Sequence, residues 1–168
     1  MEYSWKENIW KEWSNSKKSD LIHNFIMRNY DRANRLHDYG TGTICTAVEA
    51  HLLEKIYENP GITTTELAKR INRTKSAVSQ IIKRLEKKGL IYRLPQKNHI
   101  KKLSIYVTEP GKELTQAHIL YDEKAAGLFF KKLNESFDDE TMNNFFCVLY
   151  KFLQNMYPGY DDVKETNL

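Results

Sequence analysis

Apolar residues recur every three to four positions over most of this chain, and one central stretch alternates instead. Trp5, Ile9, Trp10 and Trp13 sit at helical spacing before the polar run SNSKKSD. That run predicts a break, with Ser19 or Asp20 capping a new helix from Leu21. Ile22, Phe25, Ile26, Tyr30, Ala33 and Leu36 continue the helical pattern to Gly40 and Gly42. A further helix is expected from about Thr43, carrying Ile44, Val48, Leu52 and Ile56, and stopped by Asn59-Pro60-Gly61. Thr63 and Glu66 form a capping-box signature before a short helix from Thr64 to about Ile71. Thr74 caps the next helix, and Gly89 suits the left-handed position that closes it.

The period then changes. Leu90–Leu94 is strand-like, and in Lys102–Thr108 the residues Leu103, Ile105 and Val107 alternate with Ser104, Tyr106 and Thr108. The polar, basic PQKNHIK between them reads as a hairpin tip. A long helix is expected after Glu109-Pro110-Gly111, to about Asn134, and a last one after a cap at Ser136 or Asp138. The order helix, tight turn, helix, basic hairpin predicts a winged helix-turn-helix. The expected fold is mainly α with a small β-hairpin wing. Its parts are N-terminal helices at 1–42, the winged unit at 43–108 and C-terminal helices at 109–168, the flanking helices forming a dimerisation region.

The helix from Thr74 to Gly89 has two unlike faces. At about 100° per residue, Val78, Ile81, Ile82 and Leu85 share one sector and Ser76, Lys83 and Lys87 point opposite. Short hydrogen-bonding side chains come first and lysines follow. A helix seated in a major groove about 12 Å wide needs that order, with base edges met early and phosphates later. A merely soluble helix would mix the signs of its charges. Here twelve bases against the single acid Glu86 fill Lys69–Lys102, a net of +11, while the rest of the chain is −7. A basic middle in an acidic body is the footprint of a polyanion binder.

GITTTELAKRINRTKSAVSQIIKRLEKKGLIYRLPQKNHIKKLSIYVTEPGKEL resembles the DNA-binding core of the MarR family (multiple-antibiotic-resistance regulators). The pieces that carry the likeness are ELA, KSAVSQIIKRLEKKGLI and SIYVTEPGKEL. The resemblance implies a homodimeric winged-helix regulator, more often a repressor, on a pseudo-palindromic duplex operator, with interlocked terminal helices. It matches Lys75, Ser76, Ala77, Ser79 and Gln80 to base-reading positions and Lys83 and Arg84 to backbone contacts. Thr64, Lys87, Lys97, His99, Lys101 and Lys102 complete the expected DNA-binding set. Where the family's wing commonly carries Asp-x-Arg this chain has His99 and Lys101, and lysine lacks the planar fork of arginine. Phosphate contact by Lys97, Lys101 and Lys102 is therefore expected of the wing.

Hydrophobic residues make up 40% of the 168, enough for a sizeable core. Phe145, Phe146, Leu149, Phe152, Leu153 and Met156 are nevertheless too many large side chains for one small winged unit. Since burying each gives roughly 1.5–3 kcal/mol, a partner copy is expected, with Trp10 and Trp13 completing the interface. The resemblance also implies an effector: a small aromatic acid, an oxidant or zinc. Tyr30, His37, Tyr39 and His51 are candidates to line a crevice for a small molecule. Cys45, read as near a helix start, is the redox candidate. His23, His37, His51 and His118 match no compact metal motif, so neither metal nor cofactor is expected.

No apolar run reaches the ~20 residues of a membrane span, and the acidic N-terminus does not read as a signal peptide. No membrane association and a cytoplasmic location are expected. Cys45 and Cys147 form no CxxC pair. The same winged surface could instead hold acidic proteins. An enzyme has least support, because no Gly-rich phosphate loop, HExxH or GxSxG occurs.

Overall fold

In the computed structural model the described residues are 9–96 and 99–156, with side chains described for 11–96 and 102–156. The elements are α1 (Ile9–Glu12), α2 (Asn15–Ala33), β1 (Leu36–Asp38), β2 (Ile44–Thr46), α3 (Ala47–Glu58), α4 (Thr64–Arg70), α5 (Lys75–Lys87), β3 (Ile91–Gln96), β4 (His99–Val107), α6 (Glu109–Asn134) and α7 (Asp139–Met156). Mainly helical structure with a small antiparallel wing is what the periodicity predicted. No described helix is long and apolar enough to cross a membrane.

The core lies where α3, α4 and α5 meet the wing and the start of α6. Leu52, Leu53 and Ile56 from α3 pack there with Leu67 from α4. Val78, Ile82 and Leu85 from α5 join them, with Leu90, Ile105 and Leu114. Thr63 caps α4 reciprocally with Glu66, and Thr74 caps α5. Between those helices Asn72 takes a positive φ of 49°, a conformation asparagine tolerates. At the end of α5, Gly89 at φ 70° lets its N–H reach the Glu86 carbonyl (2.9 Å) and the Leu90 N–H reach Leu85 (3.0 Å). The chain thus turns straight into the wing.

β3 and β4 pair antiparallel, Ile91 opposite Val107. The Gly61 N–H donates to the Ile105 carbonyl (2.9 Å) and the Ile105 N–H to Ile62 (3.0 Å), fastening the wing to the loop before α4. Both strands run beyond their expected ends into the tip. The alternation breaks near the tip: Leu103 is exposed, while Ser104 is buried and accepts a hydrogen bond from Gln96 at 3.2 Å. Gly111 marks the joint between wing and α6: a Cβ there would lie 2.1 Å from the Leu90 carbonyl oxygen and 2.6 Å from Val107.

Four expected boundaries move. Ser14, not Ser19 or Asp20, caps α2, because SNSKKSD contains no helix breaker and continues as a solvated face. α2 then stops at Ala33, so Leu36 and His37 are not helical. Asp38 accepts from the Gly40 N–H (2.8 Å) and the Gly42 N–H (3.2 Å), and with both glycines at positive φ the chain folds back as the β1–β2 hairpin. The hairpin consumes Ile44–Thr46, so α3 begins at Ala47 under a Thr46–Glu49 capping box rather than near Thr43. α6 also starts earlier than expected, at Glu109 under a Thr108 cap.

Candidate nucleic-acid interface

The first question for a groove-reading helix is which side it presents. In α5, Val78, Ile82 and Leu85 are buried and Ile81 is half-buried, all against the core. Lys75, Ser76, Ala77, Gln80, Lys83, Arg84 and Lys87 are exposed, and Ser79 is half-buried. The predicted outer face is therefore solvent-facing along its whole length. Thr64 is half-buried at the start of α4, beside the capping residue Thr63.

Of the wing candidates, Lys102 is exposed. His99 and Lys101 fall in β4, but their side chains, like Lys97, lie outside the described residues. Two tyrosines, Tyr92 and Tyr106, stack across the wing with centroids 5.5 Å apart.

Not every base in the positive segment faces outward alone. Arg93 is held by Glu86, its Nε donating at 2.9 Å. Arg84 Nε donates to Glu49 Oε1 at 2.8 Å, and Lys88 Nζ to Glu49 Oε2 at 2.7 Å. Burial pushes the Glu49 carboxyl upward. The hydrogen bonds from Lys88, the Thr46 N–H and Arg84 outweigh that and hold it below the usual carboxylate range. Glu49 did not enter the sequence reading, although Thr46-Ala47-Val48-Glu49 carries the capping-box spacing that could have flagged it.

The effector candidates separate. Tyr30 is 61% exposed on α2 and does not join the others, because α2 ends at Ala33 and the hairpin turns away. His37, Tyr39 and His51 do come together, with His118 and Tyr121 of α6. Tyr39 meets His118 edge-on (5.0 Å between centroids) and Tyr121 at 5.4 Å, and His37 lies 5.6 Å from Tyr121. Burial, then the charge of Asp122, pushes the Tyr39 phenol up to about 12.

Geometry does bring together side chains that no compact sequence motif joins. His51 Nδ1 lies 3.1 Å from His118 Nε2, and donor atoms of His51, Glu54 and His118 all fall within 4.8 Å of one another. Asp122 stands 3.6 Å from His118 Nε2. Each pair is three or four residues apart on its own helix, but the set spans α3 and α6, which no single-segment motif reveals. His118 is fully buried, its Nδ1 has no hydrogen-bond partner, and burial lowers its pKa against the pull of Asp122. It is therefore held neutral at pH 7, the form that can donate a lone pair.

Cys45 does lie near a helix start, one residue before the Thr46 cap of α3, but it sits in β2 and is fully buried. Burial pushes its thiol up, despite Lys88 Nζ at 3.6 Å, so the thiolate chemistry of a redox sensor is disfavoured.

For the remaining candidates, α2 and α7 bury no residue at all. Phe145, Phe146, Phe152 and Met156 are exposed, Leu149 and Leu153 are half-buried, and Trp13 is half-buried. The side chain of Trp10 lies outside the described residues.

Residues 45–99 match the MarR family model. The HTH-type transcriptional regulator YhjH of Bacillus subtilis (strain 168) is 28% identical over 105 residues, which cover 62% of this chain and 60% of YhjH. The crystal structure of the transcriptional regulator SlyA superposes with a TM-score of 0.58 at 25% identity, covering 71% of this chain and 81% of SlyA. Lactococcus lactis ZitR in complex with DNA shares the fold with a TM-score of 0.65 at 19% identity, over 86% of this chain and 99% of ZitR.

Proposed function

We propose that this chain, whose residues 45–99 match the MarR family model, is a sequence-specific, DNA-binding transcriptional regulator of that family acting as a homodimer. The observation that carries this reading is the outer face of α5. Lys75, Ser76, Gln80, Lys83 and Lys87 stand exposed above buried Val78, Ile82 and Leu85, so the core fixes the helix and leaves its polar face to a groove. Ser76, Ala77, Ser79 and Gln80 meet base edges, and Lys83, Arg84 and Lys87 meet phosphates. Lys97, Lys101 and Lys102 of the wing add backbone contacts, with Thr64 and His99 at the margin. Repression follows from occupancy, since a dimer across a promoter excludes polymerase.

The dimer reading draws on the uncovered apolar faces of α2 and α7. Two-fold pairing puts the two α5 helices about 34–36 Å apart, one duplex turn, and the operator is then a pseudo-palindrome. The division into N-terminal helices, winged unit and C-terminal helices follows the same logic.

The effector best supported by side-chain chemistry is a divalent cation of the zinc type. Two imidazole nitrogens and one or two carboxylates suit such an ion, with N and O bonds of about 2.0–2.2 Å. His51 and Glu54 belong to the winged unit, and His118 and Asp122 to the helix leading to the dimer face. A cation held between them favours one relative placement of the two parts. Isothermal titration with zinc, and the visible absorption of cobalt(II) as a stand-in, read this directly. His118→Ala should abolish both signals, and unaltered cobalt spectra in that variant contradict it.

Sequencing the duplex fragments that co-purify with the chain tests the main reading. A recurring pseudo-palindrome is expected, bound by the wild type and lost in Lys83→Glu. Random fragments, or DNA binding unaltered by Lys83→Glu alongside capture of acidic proteins, favour a protein-interaction module instead.

A further inference from the structure

Glu49 is the most buried acid in the described core, with its side chain 3% exposed, yet it sits among cations of the proposed DNA-binding helix. Its Oε2 accepts from the Thr46 N–H at 3.0 Å and from Lys88 Nζ at 2.7 Å, and its Oε1 accepts from Arg84 Nε at 2.8 Å. One carboxylate therefore joins the first turn of α3 to the last turns of α5. Lys88 also donates to the Ile44 carbonyl at 2.8 Å, so β2 shares the joint.

The consequence lies in Arg84. Its side chain is 51% exposed, and the bond to Glu49 uses Nε. A guanidinium is a rigid planar fork, so fixing Nε fixes the direction of the two terminal nitrogens. Arg84 falls one helical turn after Gln80 on the same edge of α5, between the outer face and the core. That edge is where a helix in a major groove meets the phosphates flanking it.

We propose that Glu49 is a positioning residue for DNA binding, which aims the Arg84 guanidinium at a backbone phosphate and locks the end of α5 to α3. The inference rests on the DNA-binding reading above and deepens it. It makes a prediction whose sign opposes simple charge counting. Removing a negative charge beside a polyanion site should tighten binding by lessening repulsion. If Glu49 instead aims Arg84, removing its charge weakens binding, because the guanidinium swings free and must be ordered again on the DNA.

The test compares wild type, Glu49→Gln, Arg84→Lys and the double variant by fluorescence anisotropy, on a co-purified operator duplex, from 50 to 200 mM salt. Glutamine keeps the capping-box geometry at the start of α3, so the fold is retained. Arg84→Lys, at an exposed position, keeps the charge but removes Nε and the fork. Expected results are weaker binding in each single variant, by about tenfold. The log–log salt slope should change little, because position 84 keeps its positive charge in both single variants and the loss is one of ordering. The double variant should be no weaker than either single one.

Tighter or unchanged binding in Glu49→Gln overturns the inference, and so does Arg84→Lys that binds as wild type. Losses that simply add in the double variant also overturn it, since Glu49 would then act independently of Arg84. If the wild-type chain binds no duplex, the DNA-binding reading fails and takes this inference with it. Wild-type binding with any of the other results removes the inference alone.

Discussion

Replacing Phe145 and Phe146 together by alanine should dissociate the proposed homodimer while leaving each chain folded. In the single chain these rings are 50% and 44% exposed, and α7 contributes no buried residue to the core. Alanine is the strongest helix former, so α7 itself is preserved. Burying a large side chain fully gives roughly 1.5–3 kcal/mol, so covering the exposed half of each ring gives about 1 kcal/mol. Two-fold symmetry counts each ring twice, and the double substitution therefore removes roughly 4 kcal/mol of association energy. At 1.4 kcal/mol per tenfold, the dimer dissociation constant should rise about a thousandfold. Sedimentation equilibrium over a range of loading concentrations measures it, with far-ultraviolet circular dichroism as the check on folding. A wild-type chain that stays monomeric at tens of micromolar, or a variant that self-associates like wild type, refutes the reasoning.

Gly111→Ala should lower stability by about 1–3 kcal/mol, read as a reduced urea midpoint, because the added methyl meets the Leu90 carbonyl at 2.1 Å and neither backbone can yield without moving the wing. An unchanged midpoint goes against that close approach. The stabilisation from Glu49 should depend on pH in one direction: its folded pKa lies below the ordinary carboxylate value of 4.5, so the benefit is complete above that value and is lost as pH falls through the folded pKa. The stability gap between wild type and Glu49→Gln should then be flat near neutrality and shrink below about pH 4.5, and a gap that widens on acidification contradicts it. Cys45 should resist iodoacetamide in the native chain and react only after unfolding, which peptide mass spectrometry resolves, because it is fully buried with a raised thiol pKa.

The parts of the fold legible in the sequence were those that local chemistry dictates. The Thr63–Glu66 box, the Thr74 cap, the left-handed Gly89 and the two faces of α5 all follow from residues a few positions apart. What escaped was set by tertiary structure or by turns that a helical period hides. The helical period carries through Leu36 toward Gly40, yet Asp38 and two glycines fold Leu36–Thr46 into a hairpin. Glu49 and Arg84 are 35 residues apart, and His51 and His118 are 67 apart. Only the packing of α3 against α5 on one side and α6 on the other brings those pairs together. Tyr30 lies apart from the other crevice candidates for the converse reason: it sits exposed on α2, which ends before the β1–β2 hairpin that carries His37 and Tyr39 closer to α6.

The central claim is that a core-anchored, positively charged helix face engages duplex phosphates. The most direct measurement is the affinity for a co-purified duplex as a function of salt concentration. If about 6–10 phosphates are contacted, the logarithm of the binding constant should fall linearly against the logarithm of salt, with a slope of roughly −5 to −9. A binding constant that barely changes with salt, or no measurable binding at 50 mM, contradicts the account.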